Sequence, residues 1–132
     1  MGRVLLFNFT SETRRKKVRS LLFRLGLPGR EIPPEDQGQT LAALLEEQAH
    51  HPEEGKTEKG FSGEMLVMHG LSPKQFHGLV DGLRAQGLLI PLKAVTTETN
   101  LNWTALRLHE ELTAEREALE AGKKAVHGER KE

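Results

Sequence analysis

Residues 65–87 read MLVMHGLSPKQFHGLVDGLRAQG, and the fold follows from how this stretch is parsed. Met65 to Met68 is a short apolar run that suits a buried strand. After it, Ser72 followed by Pro73 is a helix N-cap with proline at the first helical position, where its missing N–H costs nothing. Phe76, Leu79, Val80 and Leu83 then recur at the i, i+3, i+4, i+7 spacing of one helix face. Gly87 stands where a left-handed C-terminal cap closes the helix.

The same plan precedes it. Residues 4–26, VLLFNFTSETRRKKVRSLLFRLG, lie over 65–87 at a constant offset of 61. Val4 to Phe7 falls on the second apolar run, Asn8 on His69, Ser11 on Ser72, Leu22 on Leu83 and Gly26 on Gly87. Thr10 or Ser11 caps the first helix, whose inward face is Val18, Leu21, Leu22 and Leu25. Each helix leads to another strand. Arg30-Glu31-Ile32 is a brief strand stopped by Pro33-Pro34, which lack two backbone donors, and Leu89 to Val95 is a further strand. Beyond these the offset becomes 64, placing Thr40 on Thr104 and Leu44 on Leu108. The sequence therefore predicts a helix from about Thr40 to Gln48, and a last one from near Asn102 or Trp103 through Leu106, Leu108, Leu112 and Leu119.

The expected fold is α/β: a small, mostly parallel four-stranded sheet covered by helices, β-α-β-α twice. An internal duplication and a chance likeness of two strand-helix units both account for the offset. The connection between the halves leaves open whether the second unit continues the first in parallel or packs against it about a pseudo-twofold. One domain over 1–119 is expected, with halves 1–48 and 64–119 joined by the loop 49–63. Residues 120–132 form a charged tail in which the helix frays past Ala121.

Composition narrows the chemistry. The 132 residues contain no cysteine, which removes disulfides and thiolate ligands and fits a reducing compartment. Val4 to Phe7 is far too short for a signal-peptide core or a membrane span, so a cytoplasmic protein that does not enter membranes is expected. The formal net charge is zero but unevenly spread. Residues 1–30 carry eight basic side chains against Glu12, and 31–59 carry eight acids against Lys56 and Lys59.

The stretch EMLVMHGLSPKQFHGLVDGLRAQGLLIPLKAVTTETNLNWTALRLHEEL, residues 64–112, resembles the bacterial family called domain of unknown function 3783. The likeness rests on the MLVM strand, the LSPKQFHGLVDGLR helix start and the PLKAVTTETNLNWT segment. Residues 4–27, VLLFNFTSETRRKKVRSLLFRLGL, resemble what precedes that domain in such proteins. The resemblance implies no activity and no functional residues.

Function has to be sought at the strand ends. In open parallel sheets ligands bind beyond the carboxyl ends of the strands. With all strands parallel, Asn8 to Ser11, Glu35 to Gln37, His69 to Ser72 and Thr96 to Asn102 share one rim. The sharpest reading is a non-catalytic module that binds a small polar or anionic ligand there. Asn8, Ser11, His69, Ser72, Thr96, Thr97, Thr99, Asn100, Asn102 and Trp103 would form the site, with helix N-termini supplying backbone donors. The plain alternative is that the Ser, Thr and Asn side chains only cap helices and turns, with Trp103 packed in the core. Lys93, by strand alternation, is a solvated lysine.

Other classes have weaker supports. Without a cysteine or a clear acid partner for His69, no nucleophile, base and orienting group can be assembled, and no catalytic residue or cofactor is assigned. His50-His51 in a loop lacks the helical spacing of a metal site, so no metal is expected. Leu108, Leu112 and Leu119 offer a seam for a protein partner, interrupted by Glu115, and the strand beside Pro33-Pro34 offers a sheet edge. Arg15, Lys16 and Arg19 on the first helix form a basic patch for nucleic acid, against which stands a solvated helix face with little aromatic interleaving.

Overall fold

The computed structural model describes residues 2–46 and 61–129, with side chains as far as Ala121. Four strands and four helices alternate. They are β1 (Arg3–Phe7), α1 (Glu12–Arg24), β2 (Gly29–Ile32), α2 (Leu41–Leu45), β3 (Met65–His69), α3 (Pro73–Ala85), β4 (Leu92–Val95) and α4 (Ala105–Glu129). Short 3-10 turns precede α2 and α4, at Pro34–Asp36 and Asn100–Asn102.

The strands form one mixed sheet in the order β2-β1-β3-β4. β1 runs parallel to β2 and β3 parallel to β4, but the two central strands are antiparallel. Two of the three pairings are thus parallel, and the halves meet head to tail. The four apolar residues of each central strand are buried completely or nearly so, because strands in mid-sheet with helices on both faces have no solvent side.

Alternation along the strands divides the core into two layers. Val4, Leu6, Leu66 and Met68 face α1 and α3, whereas Leu5, Phe7, Met65 and Val67 face α2 and α4. α1 and α3 pack closely where α3 has no side chain: a Cβ on Gly82 would stand 2.7 Å from Leu21 Cδ1. Both helices end as expected, with Gly26 and Gly87 at φ 70° and 69°.

The ladder between the halves has a symmetry the offset anticipates. Val4 pairs with Met68 and Phe7 with Met65, so exchanging residues 61 apart maps the pairing onto itself. On the second face Thr40 and Thr104, 64 apart, form an isolated antiparallel bridge flanked by reciprocal hydrogen bonds. Leu41 N donates to Trp103 O at 2.9 Å and Ala105 N to Gln39 O at 3.1 Å. Each threonine also caps its own helix, accepting from Ala43 N and Arg107 N at 3.1 and 3.0 Å.

Some boundaries differ from expectation. β4 begins at Leu92 rather than Leu89, after Pro91, which lacks an N–H for a ladder. α2 ends at Leu45, where Glu46 turns to extended backbone at φ −82° and ψ 140°; the last two residues of its expected span, to Gln48, lie outside the described residues. α4 is helical as far as Glu129. The loop's end is held in place: Asn8, itself at φ 60°, donates from Nδ2 to the carbonyls of Phe61 and Gly63, both at 3.0 Å.

Candidate functional site

The antiparallel join corrects the expectation of one shared rim. The carboxyl ends of β1 and β2 leave the sheet at one edge, and those of β3 and β4 at the opposite edge. Asn8 and Ser11 are therefore grouped with Asp36 and Gln37, while His69, Ser72 and Thr96 form a separate group. Parallelism within each half was legible from its β-α-β plan, but the junction pairs residues more than 55 apart, beyond the reach of any local pattern.

Most of the rim side chains have partners within the protein. Ser11 accepts from Arg14 N at 3.3 Å, and Ser72 and Gln75 form a reciprocal capping box at 3.1 and 3.0 Å. Thr97 N donates to Asn100 Oδ1 at 2.8 Å, Asn100 N to Thr97 Oγ1 at 3.0 Å, and Asn100 Nδ2 to Val95 O at 3.2 Å. Thr96 Oγ1 lies 2.9 Å from His69 Nδ1. Thr99 and Asn102 are exposed. Trp103 is half-buried against the second core layer, with the Arg107 guanidinium 4.4 Å above its ring. Lys93 is exposed and reaches the Ile90 carbonyl at 3.3 Å.

The basic patch is likewise engaged. Glu31 Oε2 accepts from Arg19 at 3.2 Å and lies 3.5 Å from Arg15 Nε, while Lys16 stands 4.0 Å from Glu12, both exposed. The groove beyond the β1 and β2 carboxyl ends, about 420 Å³ between Phe9, Thr10, Pro33 and Pro34, includes that same glutamate.

A more distinctive constellation lies at the other end of these strands. Arg3 shares its strand face with Leu5 and Phe7, and Arg30 shares its face with Ile32, so both arginines rise into the α2 layer. Arg3 Nη1 donates to Leu45 O, and Arg30 Nη1 donates to Leu44 O and, at 3.3 Å, to Glu46 O. Between them is a pocket of about 290 Å³ floored by Val4, Leu5, Pro28 and Gly29 and walled by α2. Among the described residues neither arginine has a carboxylate partner. Sequence reasoning passed over this pair. The signal was parity, since two arginines occupy the inward phase of strands whose other inward residues are apolar.

The second half has a counterpart. Pro91, Leu92 and His109 line a cleft of about 510 Å³ with Glu64, which stands 61 residues after Arg3. Here the charge is already answered. Glu64 receives a two-pronged bond from Arg14, at 2.8 and 2.6 Å, and Arg14 also donates to Leu89 O at 2.9 Å. Hydrogen bonding to Glu64 raises the Arg14 pKa above its ordinary value.

Two histidines near these clefts are held below the usual imidazole value. Burial is the main cause for both. The charges of Arg3 and the N-terminus lower His69 further, whereas the Ser62 backbone and Glu110 pull His109 back up. His109 also stacks on Phe61 with ring centroids 4.1 Å apart. The folded state therefore favours neutral imidazole. Stability from these groups is complete above about pH 6.5 and is lost as the pH falls through their folded values, because the unfolded chain takes up protons first. Urea midpoints measured from about pH 8 to about pH 5 should fall less steeply for the His69→Gln/His109→Gln double variant than for the parent. An equal fall would show that these histidines do not carry the effect.

Among the described residues no three His, Asp or Glu side chains cluster as a metal site, and no helix is long and apolar enough to cross a membrane. His50 and His51 lie outside the described residues.

Fold and cleft together define a small α/β domain in which a mixed sheet is sandwiched between two helix layers. Its second half, residues 64–119, matches the family described as Domain of unknown function (DUF3783). No curated protein and no solved structure matches the chain.

Proposed function

We propose that the protein is a non-catalytic module that binds a small anionic ligand between Arg3 and Arg30. The observation that carries this reading is the pair of arginines on adjacent strands, on one face, around a pocket where no described carboxylate meets them. Capping the α2 carbonyls accounts for part of their presence. It uses only a minority of the five donors on each guanidinium, and it fixes the forks in place before any ligand arrives. The lining's one described carboxylate, Glu46, makes no ion pair with either arginine among the described residues. Carboxylate and phosphate are the groups whose geometry a guanidinium fork fits. The nucleic-acid reading is weaker, since Glu31 already engages two of its three cations.

Titration with inorganic phosphate and with citrate at low salt tests the proposal. Amide shifts are expected at residues 3–5, 29–30 and 44–46. Arg3→Gln and Arg30→Gln should each weaken binding roughly 10- to 100-fold, the worth of one charge-assisted hydrogen bond of about 1.5–3 kcal/mol. Arg30→Lys, which keeps the charge but not the fork, should fall between parent and glutamine variant. Shifts confined to residues 8–11 or 69–72, or affinities indifferent to both arginines, would sink the proposal.

A further inference from the structure

His69 stands next to the arginine pocket. It is the register partner of Arg3 across the antiparallel join of β1 and β3, while Arg30 pairs with Leu5 on the other side of β1. Directly opposed residues on one sheet face have Cβ atoms about 4.5–5.5 Å apart. Met65 and Val67 face the layer of α2 and α4, so His69, two residues further on, shares the face from which both arginines rise. Thr96 continues the row on the next strand: its amide donates to Met68 O at 3.0 Å, and its Oγ1 lies 2.9 Å from His69 Nδ1. Strand by strand, this end of the face reads Arg30, Arg3, His69, Thr96.

Of these four side chains only the imidazole changes charge near neutral pH. In the free protein its surroundings favour the neutral ring. Burial is the first cause, and the charges of Arg3 and the N-terminus add to it. Thr96 on β4 is uncharged, and among the described residues no carboxylate forms an ion pair with His69. The pocket's remaining charged groups are Arg30 and the exposed Glu46 at the end of α2. An anion seated on Arg3 reverses the balance, because it offsets the cation that opposes protonation and sets a negative charge nearby. Whatever favours the imidazolium in the complex must, by linkage, tighten the complex as protons are added.

We infer that His69 makes anion binding at the arginine pocket pH-dependent: a ligand held by Arg3 and Arg30 binds more tightly when this imidazole is protonated. This rests on the anion-binding reading above. His69 acts through the charge beside it and need not touch the ligand, so it is a positioning residue of the site.

Sulfate is the probe, since it keeps both its charges over the range from about pH 8 to about pH 5.5 in which histidine titrates. The His69 ring signals of the full chain are followed by NMR across that range, with and without saturating sulfate at low salt. The ring's pKa should rise by up to about one unit in sulfate, and the affinity measured in parallel should increase by up to about tenfold as the pH falls. His69→Gln should flatten that increase. His109→Gln should keep it, because that ring stacks on Phe61 at the opposite end of the sheet. The N-terminal amine also gains charge as the pH falls, but it does so in every variant, so the difference between parent and His69→Gln isolates the imidazole. Sulfate binding that needs both arginines yet is equally strong at the two ends of the range, or that tightens equally in His69→Gln, would overturn the role of His69 and leave the pocket reading standing. Sulfate shifts absent from residues 3–5, 29–30 and 44–46 would overturn both.

Discussion

Replacing Phe7 with alanine should lower the free energy of unfolding by about 3–5 kcal/mol, the range for a large aromatic removed from a packed core. Phe7 is fully buried at the end of a central strand, paired on one side with Ile32 and on the other with Met65. Its ring lies 5.7 Å from that of Phe61, so it touches both strand neighbours and the returning loop. The side chains around it are themselves buried between sheet and helices, so the cavity term adds to the lost transfer energy. Urea unfolding of Phe7→Ala beside Leu119→Ala checks the scale. The second should move stability by no more than about 0.5 kcal/mol, since its side chain stands in solvent. A loss under about 1 kcal/mol for Phe7→Ala would mean that β1 is not the centre of the core.

Much of this core was readable because it repeats locally. Val4 to Phe7 and Met65 to Met68 announced the two central strands, and Ser72-Pro73 with Gly87 bounded α3 to within two residues. The expected helix starts, about Thr40 and near Asn102 or Trp103, fall one to three residues before Leu41 and Ala105, where Thr40 and Thr104 cap α2 and α4. What local pattern could not hold was the direction in which β3 meets β1. That choice depends on two apolar edges finding each other across the sheet, and it divided the anticipated rim into two ends. The candidate site shifted for the same reason. Residues that seemed apt for a ligand, such as Ser11, Ser72 and Asn100, are short polar side chains beside unsatisfied helix and turn amides, and those amides claim them first. Arg3 and Arg30 lay outside any motif and became meaningful only once β1 and β2 were adjacent.

The second large effect concerns a polar group in the interior. Gln37 is 1 % exposed, and its side chain is fully employed. Nε2 donates to Asn8 Oδ1 and Oε1 accepts from Phe61 N, both at 3.1 Å, while its own carbonyl accepts from Leu106 N at 3.0 Å. It thereby joins the carboxyl end of β1, the returning loop and the first turn of α4. Gln37→Leu keeps the bulk and removes both side-chain partners, leaving Asn8 Oδ1 and the Phe61 amide unpaired. Each unpaired buried group costs about 1–3 kcal/mol, so a loss of roughly 2–4 kcal/mol is expected. Asn8→Gly retains the positive φ without the side chain, and combining the two should cost less than their sum by about 0.5–3 kcal/mol, because either change breaks the same bond. Hydrogen exchange at the Phe61 amide gives an independent reading: protection should collapse in Gln37→Leu while the Leu66 and Val67 amides of β3 keep theirs relative to global stability. Strict additivity, or an unchanged Phe61 amide, would show that the loop is held by the apolar contact of Phe61 with Phe7 and His109 and not by this hydrogen-bonded clamp.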